Sequence, residues 1–125
     1  MRGAGVLIIT GLWAGLLALS GPAAAQERPP ADRQSLLELA RVLGESHAIR
    51  RACVSEDDLE WRNRMEQLLA VEAPDQAFKI RLILAFNNGF AAGQSGKATC
   101  NAQLRTQAVT LARRGQALAK ALGGS

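Results

Sequence analysis

The sequence has few of the residues from which metal and redox sites are built. Among 125 residues there is one histidine, His47, and there are two cysteines, Cys53 and Cys100. A protein zinc site uses three or four such ligands, so we expect neither a metal centre nor a cofactor. The cysteines also lie too far apart for the C-x-x-C motif of thiol–disulfide exchange.

The sequence also lacks an apolar run of membrane-spanning length. Its longest mostly apolar segment, Val6–Leu19, has 14 residues, whereas a spanning helix needs about 20. Arg2 precedes this segment, and Ala23-Ala24-Ala25 follows it after a helix breaker. This order is typical of a secretory signal peptide. We predict a signal peptide at 1–25 and no membrane span after its cleavage; an uncleaved anchor is the alternative.

The charge is mildly basic, with 15 Lys and Arg, 11 Asp and Glu and a formal net charge of +4. Acids and bases alternate, which favours a solvated surface and excludes a nucleic-acid-binding stripe. We therefore expect no nucleic-acid partner. In an exported protein, two cysteines favour a disulfide over thiol chemistry. We predict periplasmic localisation and a Cys53–Cys100 disulfide.

Two prolines mark the start of the mature chain. Pro29 and Pro30 lie among charges in residues 26–34, which we predict to be a flexible leader before one helical domain at 35–125. Ser35 and Glu38 have the spacing of a capping box, so the first regular helix is expected to begin at Ser35.

Apolar residues recur with the 3.6-residue period of α-helices in four segments. The predicted helices cover about 32–51, 56–71, 74–92 and 102–122. Ser55 is expected to cap the second helix and Asn101 the fourth. No segment alternates with a period of two, and β-branched residues are sparse, so the predicted fold class is all-α.

One face of each predicted helix is apolar and is expected to be buried. The faces are Leu36, Leu39, Ala40, Leu43 and His47; Trp61, Met65, Leu68 and Leu69; Phe78, Leu82, Ile83, Phe86, Asn87 and Phe90; and Leu104, Ala108, Leu111, Gly115, Leu118 and Leu122.

Glycines inside two of these helices allow two interpretations each. Gly44 either weakens the first helix slightly or allows a neighbour to approach closely. The third helix either ends early, with Asn88 or Gly89 as a left-handed cap, or continues through Gly89 to about Ala92. We favour continuation, because Phe90 keeps the apolar phase.

Short connections make neighbouring helices antiparallel, which predicts a small up-down-up-down four-helix bundle. Cys53 follows the first helix and Cys100 precedes the fourth, so this topology brings them to the same end. One disulfide then staples the bundle and stabilises it by roughly 4 kcal/mol in the chain-entropy model.

The same topology places His47, Trp61 and Asn87 in one layer beneath the disulfide. The functional hypothesis is a small pocket in which His47, Arg50, Trp61, Arg62 and Asn87 bind a ligand. The structural alternative is a filled core in which His47 and Asn87 bond to each other or to a helix carbonyl. We favour that alternative, because buried polar groups are usually paired.

No set of catalytic residues stands out. Nucleophilic catalysis by a Cys–His pair needs a free thiolate, which a disulfide removes. The acidic run Glu56–Glu60 lacks the alternation and the glycine of a calcium-binding loop. We therefore predict no catalytic residue.

Four segments carry a family resemblance: V-L-G-E-S-H-A-I-R-R-A-C (Val42–Cys53), W-R-N-R-M (Trp61–Met65), A-F-N-N-G-F (Ala85–Phe90) and T-C (Thr99–Cys100). They resemble a family of short exported alphaproteobacterial proteins of unknown function, whose pattern is similar to L-G-x-x-H-x-L-R-x-x-C, W-R-x-x-M, F-N-x-G-[YF] and a later Cys. Ile49 stands where this pattern more often has Leu, and the segment before Thr99 is short. The resemblance implies a periplasmic protein with these two cysteines and implies no activity.

We predict a non-enzymatic helical binding or interaction module of the cell envelope, whose partner is an envelope protein or a small ligand. The alternative is a small enzyme or enzyme accessory that uses the polar layer around His47 and Asn87. A third possibility is self-association through an exposed apolar stripe on the fourth helix.

Overall fold

The computed structural model describes residues 28–94 and 99–123. It contains four helices, α1 (Pro30–Cys53), α2 (Glu60–Glu72), α3 (Gln76–Gln94) and α4 (Ala102–Gly123), and no strand within those ranges. The all-α prediction is confirmed. The predicted signal peptide at 1–25 and the first two residues of the predicted leader lie outside the described residues.

Contacts along the helices establish their directions. α3 runs parallel to α1, because Gly89 lies against Arg41 and Gly93 lies against Ala48. α2 and α4 run antiparallel to α1, because the C-terminal ends of both contact Arg28, just before α1 begins. The predicted up-down-up-down order is therefore confirmed.

α1 is the central helix of the bundle, and each of the other three helices packs against it. Residues 42–49 are all buried, so this part of α1 has no solvent-facing side. Two apolar clusters lie on opposite sides of α1. One contains Leu36, Leu43, Met65, Phe78 and Leu82, and the other contains Val42, Ile49, Leu104 and Leu111. The apolar stripe of α4 is used in this core, which contradicts its predicted exposure for self-association.

Gly44 and Gly89 lie where the backbones of α1 and α3 touch. Of the two interpretations of Gly44, close approach of a neighbour is therefore correct. α3 passes through Gly89 and ends at Gln94, as favoured. Closely packed parallel helices of this kind need small residues at their contact.

Different interactions hold the two ends of the bundle together. At one end the Cys53–Cys100 disulfide joins α1 to the residue before Asn101, as predicted. At the other end Arg28 donates hydrogen bonds to both carboxylate oxygens of Glu72, at 2.9 and 2.8 Å. Arg28 also donates to the carbonyl oxygen of Leu122 at 3.0 Å. The hydrogen bond with Glu72 raises the pKa of the Arg28 guanidinium.

The predicted leader at 26–34 is wrong for residues 30–34, which form the first turn of α1. Proline is tolerated in the first turn of a helix, where its missing N–H costs nothing. Ser35 therefore lies inside the helix, and its hydroxyl donates to the carbonyl oxygen of Ala31 at 3.2 Å. The predicted capping box at Ser35 is wrong for the same reason.

The predicted start of the second helix is also wrong. α2 begins at Glu60, four residues later than expected, and Ser55 does not cap it. Instead, the Ser55 hydroxyl accepts from the N–H of Asp57 at 3.2 Å, and the Asp58 carboxylate accepts from the N–H of Glu60 at 3.1 Å. These local bonds replace the first helical turn.

The start of α4 agrees with its prediction. The Asn101 side-chain oxygen accepts from the N–H of Leu104 at 2.8 Å, so Asn101 caps α4. The Asp75 carboxylate makes the equivalent bond to the N–H of Phe78 at the start of α3. Each cap satisfies a backbone donor that the first helical turn leaves unpaired.

Candidate functional site

Grooves open on both sides of α2, because α2 packs against α1 and hardly touches α3 or α4. The α2/α3 groove holds about 430 Å³ and is lined from α1, α2 and α3 by His47, Arg62, Met65, Phe86, Asn87 and Phe90, among others. The α2/α4 groove holds about 390 Å³ on the opposite side of α2.

Three of the five predicted ligand-binding residues meet in the α2/α3 groove. His47 contributes from α1, Arg62 from α2 and Asn87 from α3. The antiparallel arrangement of α1 and α2 and the parallel arrangement of α1 and α3 place all three at similar depth in the bundle. The predicted polar layer therefore borders a groove that is open to solvent.

His47 is 6% exposed, and its ring packs against two phenylalanine rings of α3. Its ring centroid is 5.9 Å from that of Phe86 and 5.3 Å from that of Phe90, with tilted ring planes. Its Nδ1 is buried and has no hydrogen-bond partner among the described residues. Asn87 is exposed, and no hydrogen bond joins it to His47 within the described residues. The favoured interpretation was a filled core in which His47 and Asn87 bond to each other or to a helix carbonyl. The pairing of His47 with Asn87 is wrong, and the His47 Nδ1 bonds to no carbonyl of the described residues.

The surroundings of His47 favour its neutral form. Burial lowers the pKa of the imidazole below its usual 6.5, because the protein interior solvates a cation poorly. The positive charges of Arg51 and Arg62 lower this pKa further, and the negative charge of Asp58 opposes them. A neutral imidazole can donate or accept a hydrogen bond, and it carries no charge to attract an ionic ligand.

The mouth of the α2/α3 groove is polar, and its walls are apolar. Arg62 and Glu66 lie one turn apart on α2, with 3.7 Å between Nε and Oε1, and both side chains are mostly exposed. Across the groove, Ile83 and the aromatic rings of α3 line the other wall, beside the Asn87 amide. A few polar groups around an apolar cleft are typical of sites for small, partly apolar molecules.

Two predicted residues lie outside the α2/α3 groove. The Arg50 Nε lies 2.8 Å from the Asp58 Oδ2, in an ion pair that joins α1 to the turn before α2. Trp61 lines the α2/α4 groove instead. Adjacent residues of an α-helix point about 100° apart, and here Trp61 and Arg62 line different grooves.

Sequence reasoning missed the α2/α4 groove and the role of Glu66. The i, i+4 spacing of Arg62 and Glu66 is a readable signal for their ion pair. The α2/α4 groove has no such signal, because it results from the separation between α2 and α4. Its floor is formed by Leu39, Val42 and Leu43 of α1.

Within residues 28–94 and 99–123, no group of three or more His, Cys, Asp or Glu is arranged to hold a metal ion. Over the same ranges, none of the helices combines the length and the apolar character needed to cross a membrane.

Comparison with known proteins identifies the family of this chain. No curated protein and no solved structure matches this chain. The model of a family described as "Protein of unknown function (DUF2385)" matches residues 30–124. That range contains all four helices, both cysteines and the α2/α3 groove. The chain therefore belongs to the DUF2385 family.

Proposed function

We propose that this protein is an exported, non-enzymatic binding module of the bacterial cell envelope, and that the α2/α3 groove binds its ligand. The observation that carries this proposal is the position of His47, a buried imidazole beneath an open, aromatic-lined groove. The imidazole lines this groove together with Phe86, Asn87 and Phe90, so a ligand bound there would lie against it. We propose a recognition role for this histidine.

The composition of the groove supports a ligand with an apolar ring or chain and a neutral polar group. Phe86 and Phe90 offer aromatic surface, and the Asn87 amide offers both a donor and an acceptor at the mouth. Arg62 and Glu66 carry opposite charges that compensate each other. The groove therefore favours no strongly charged ligand.

The surroundings of His47 favour binding over catalysis. A catalytic imidazole is normally oriented by a hydrogen bond to a second group, and the His47 Nδ1 has no such partner in residues 28–94 and 99–123. Both cysteines are joined in the disulfide, so they offer no thiolate nucleophile. The alternative remains a small enzyme or accessory in which neutral His47 is a general base.

Export to the periplasm is part of the proposal. It is supported by the signal-peptide pattern of residues 1–25 and by the disulfide, which persists in oxidising compartments. The motifs around His47, Trp61 and Asn87 resemble alphaproteobacterial proteins, and we propose that origin for the chain.

The test is a titration with three aromatic probes of different charge, benzamide, benzoate and benzylamine, followed by amide and side-chain NMR signals. We expect benzamide to shift the signals of Phe86, Asn87 and Phe90 most. Asn87→Ala should weaken benzamide binding about fivefold or more, the loss of one hydrogen bond. Asn88→Ala is the matched control, since Asn88 is exposed and does not line the groove.

Three results would overturn the proposal. The first is that no probe shifts the groove signals, and the second is that Asn88→Ala weakens binding as much as Asn87→Ala. The third concerns the enzyme alternative. If mass spectrometry shows that a probe is converted by the wild-type protein and left unchanged by His47→Gln, the groove is catalytic.

A further inference from the structure

We propose that the α2/α4 groove is a docking site for an acidic amphipathic helix of a partner protein. This surface lies on the opposite side of α2 from the α2/α3 groove, so the proposal does not depend on the ligand proposed above. It is carried by the shape of the groove, by the residues of its walls and by the charge of α4.

The groove has the length of a short helix. Its α2 wall runs from Trp61 to Val71 and its α4 wall from Leu111 to Ala119, which correspond to about 15 and 12 Å at the helical rise per residue. Helices that dock in grooves insert apolar side chains at i, i+3 or i+4, and i+7. Such a set of anchors spans about 10 Å, so it fits between these ends.

The walls favour an elongated occupant over a small molecule. Val71, on the α2 wall, is 81% exposed, so a small molecule beside it stays largely in solvent. Small-molecule pockets normally bury about 70–90% of their ligand. A helix with one apolar face satisfies this geometry, because it buries that face and leaves its polar face in water. On the α4 wall, Ala112, Gly115 and Ala119 leave room for its backbone.

The charge around the groove selects an acidic partner. Among the described residues, no carboxylate lines the α2/α4 groove, and Arg64, which pairs with Glu60, is its one charged lining residue. α4 itself contains four Arg and Lys residues and no Asp or Glu. Lys120 lies four positions after the lining residue Gln116, so the two residues lie on the same edge of the groove.

Within the part of the chain that the structure describes, one of the four cations of α4 has an anionic partner and three have none. Arg114 pairs with Glu38 of α1, whereas Arg105, Arg113 and Lys120 make no ion pair within the described part of the chain. Glutamates and aspartates flanking the apolar face of a partner helix would pair with them. A second copy of this chain would instead bring two cation-rich α4 helices together, which is repulsive.

The experiment measures the binding of labelled peptides by fluorescence anisotropy. The probe is a 15-residue helical peptide with leucine anchors at i, i+4 and i+7 and glutamate on its other faces. Its two controls are the same peptide with every glutamate replaced by lysine and a scrambled isomer without an apolar face. We expect the acidic peptide to bind at least about tenfold more tightly than either control.

Two neighbouring alanines of α4 provide matched variants. Ala119 lines the groove, whereas Ala117 is exposed elsewhere on the helix. Ala119→Trp fills the groove and should lower the affinity for the acidic peptide at least about tenfold. Ala117→Trp should change this affinity less than about twofold. Lys120→Glu should also weaken binding, and the effect should shrink as salt is raised. Circular dichroism and melting curves confirm that the variants are folded.

Several results would overturn the proposal. One is equal binding of the acidic peptide and its scrambled isomer, and another is equal effects of Ala119→Trp and Ala117→Trp. Binding of dodecanoate that Ala119→Trp abolishes, without binding of the peptide, would assign the groove to an acyl chain. A dimer in light scattering that Ala119→Trp converts to a monomer would assign it to a second copy. Failure of these tests leaves the benzamide titration of the α2/α3 groove unaffected.

Discussion

The carbonyl oxygen of Phe86 in α3 occupies the place where a side chain on Gly44 of α1 would begin. A Cβ built on Gly44 would lie 1.9 Å from this oxygen. A second such contact lies close by, where a Cβ on Gly89 would lie 2.0 Å from the carbonyl oxygen of Arg41. The two helices therefore meet backbone to backbone. A neighbouring backbone cannot give way as a flexible side chain can, so α1 and α3 have to separate to admit any side chain here.

We expect Gly44→Ala to lower the free energy of unfolding by about 3 kcal/mol or more. Alanine favours a helix by up to about 1 kcal/mol over glycine, and the clash with the Phe86 carbonyl outweighs that gain. Urea denaturation followed by circular dichroism measures the change.

Gly115→Ala is the control for this prediction. A Cβ there would lie 3.5 Å from the Val42 side chain and 3.8 Å from that of Leu39, which are ordinary contacts. This substitution should raise stability by about 0.5–1 kcal/mol. If both substitutions have the same effect, the close packing of α1 on α3 is wrong.

Removal of the disulfide should destabilise the protein. Cys53 and Cys100 are 47 residues apart, and in the chain-entropy model opening a loop of that length costs roughly 4 kcal/mol. Dithiothreitol should therefore lower the Tm of the wild-type protein, and Cys53→Ser should lower it without reductant. The Cys53→Ser/Cys100→Ser double variant is the control, since its Tm should not respond to dithiothreitol. An unchanged Tm on reduction of the wild type contradicts the stapling role.

Stability should depend on the protonation of His47. Its pKa in the folded protein is lowered, chiefly by burial, so the unfolded chain takes up a proton first, near pH 6.5. The contribution of neutral His47 to the free energy of unfolding is therefore complete above about pH 6.5. It is lost as the pH falls from there toward the pKa of His47 in the folded protein. The slope of the unfolding free energy is at most about 1.4 kcal/mol per pH unit for one proton.

His47 is the one histidine in the sequence, so its imidazole NMR signals can be assigned without ambiguity. A titration of these signals should give a midpoint below 6.5. His47→Gln has no imidazole, and its stability between pH 5.5 and 7 should lose the wild-type slope. A midpoint at or above 6.5 contradicts the buried environment described here.

Ala73→Gly should stabilise the protein. Ala73 ends α2 in the left-handed region, with φ 41° and ψ 53°, and its N–H bonds to the Leu69 carbonyl. A left-handed conformation costs a non-glycine residue roughly 1 kcal/mol or more, and glycine avoids this strain. We expect a gain of about 0.5–1 kcal/mol in urea denaturation, after the greater flexibility of glycine in the unfolded chain is included. Ala70→Gly, inside α2, should instead destabilise by about 1 kcal/mol.

The predicted helix boundaries were most accurate where a side chain caps a helix locally. Asn101 bonds to the N–H of Leu104 at 2.8 Å, and α4 begins at the next residue, Ala102, as predicted. At α2, Ser55 and Asp58 are both able to form turns. The ion pair between Arg50 and Asp58 ties that turn to α1. Such competition between similar local structures is decided by a contact with another helix.

The sequence predicted how far along the bundle the residues of the candidate site lie, but not which groove each of them faces. Position along antiparallel helices brings His47, Arg62 and Asn87 to one level, and all three line the α2/α3 groove. Trp61 lies at nearly the same level and faces the other groove. The rotation of α2 about its own axis decides which groove each of its residues faces. This rotation cannot be deduced from the position of a residue along the helix.

By itself, the sequence determined the four helices, their alternating directions and the pairing of Cys53 with Cys100. These follow from the apolar period, from the short connections and from the positions of the cysteines, which are local properties of the chain. Tertiary structure alone decided that α1 is enclosed by the other three helices. It also decided that Arg28, just before α1, bonds to the C-terminal ends of α2 and α4. It also decided that grooves open on both sides of α2. The physical reason is that these features depend on how closely whole helices approach, and the Gly44–Phe86 contact sets that distance for α1 and α3.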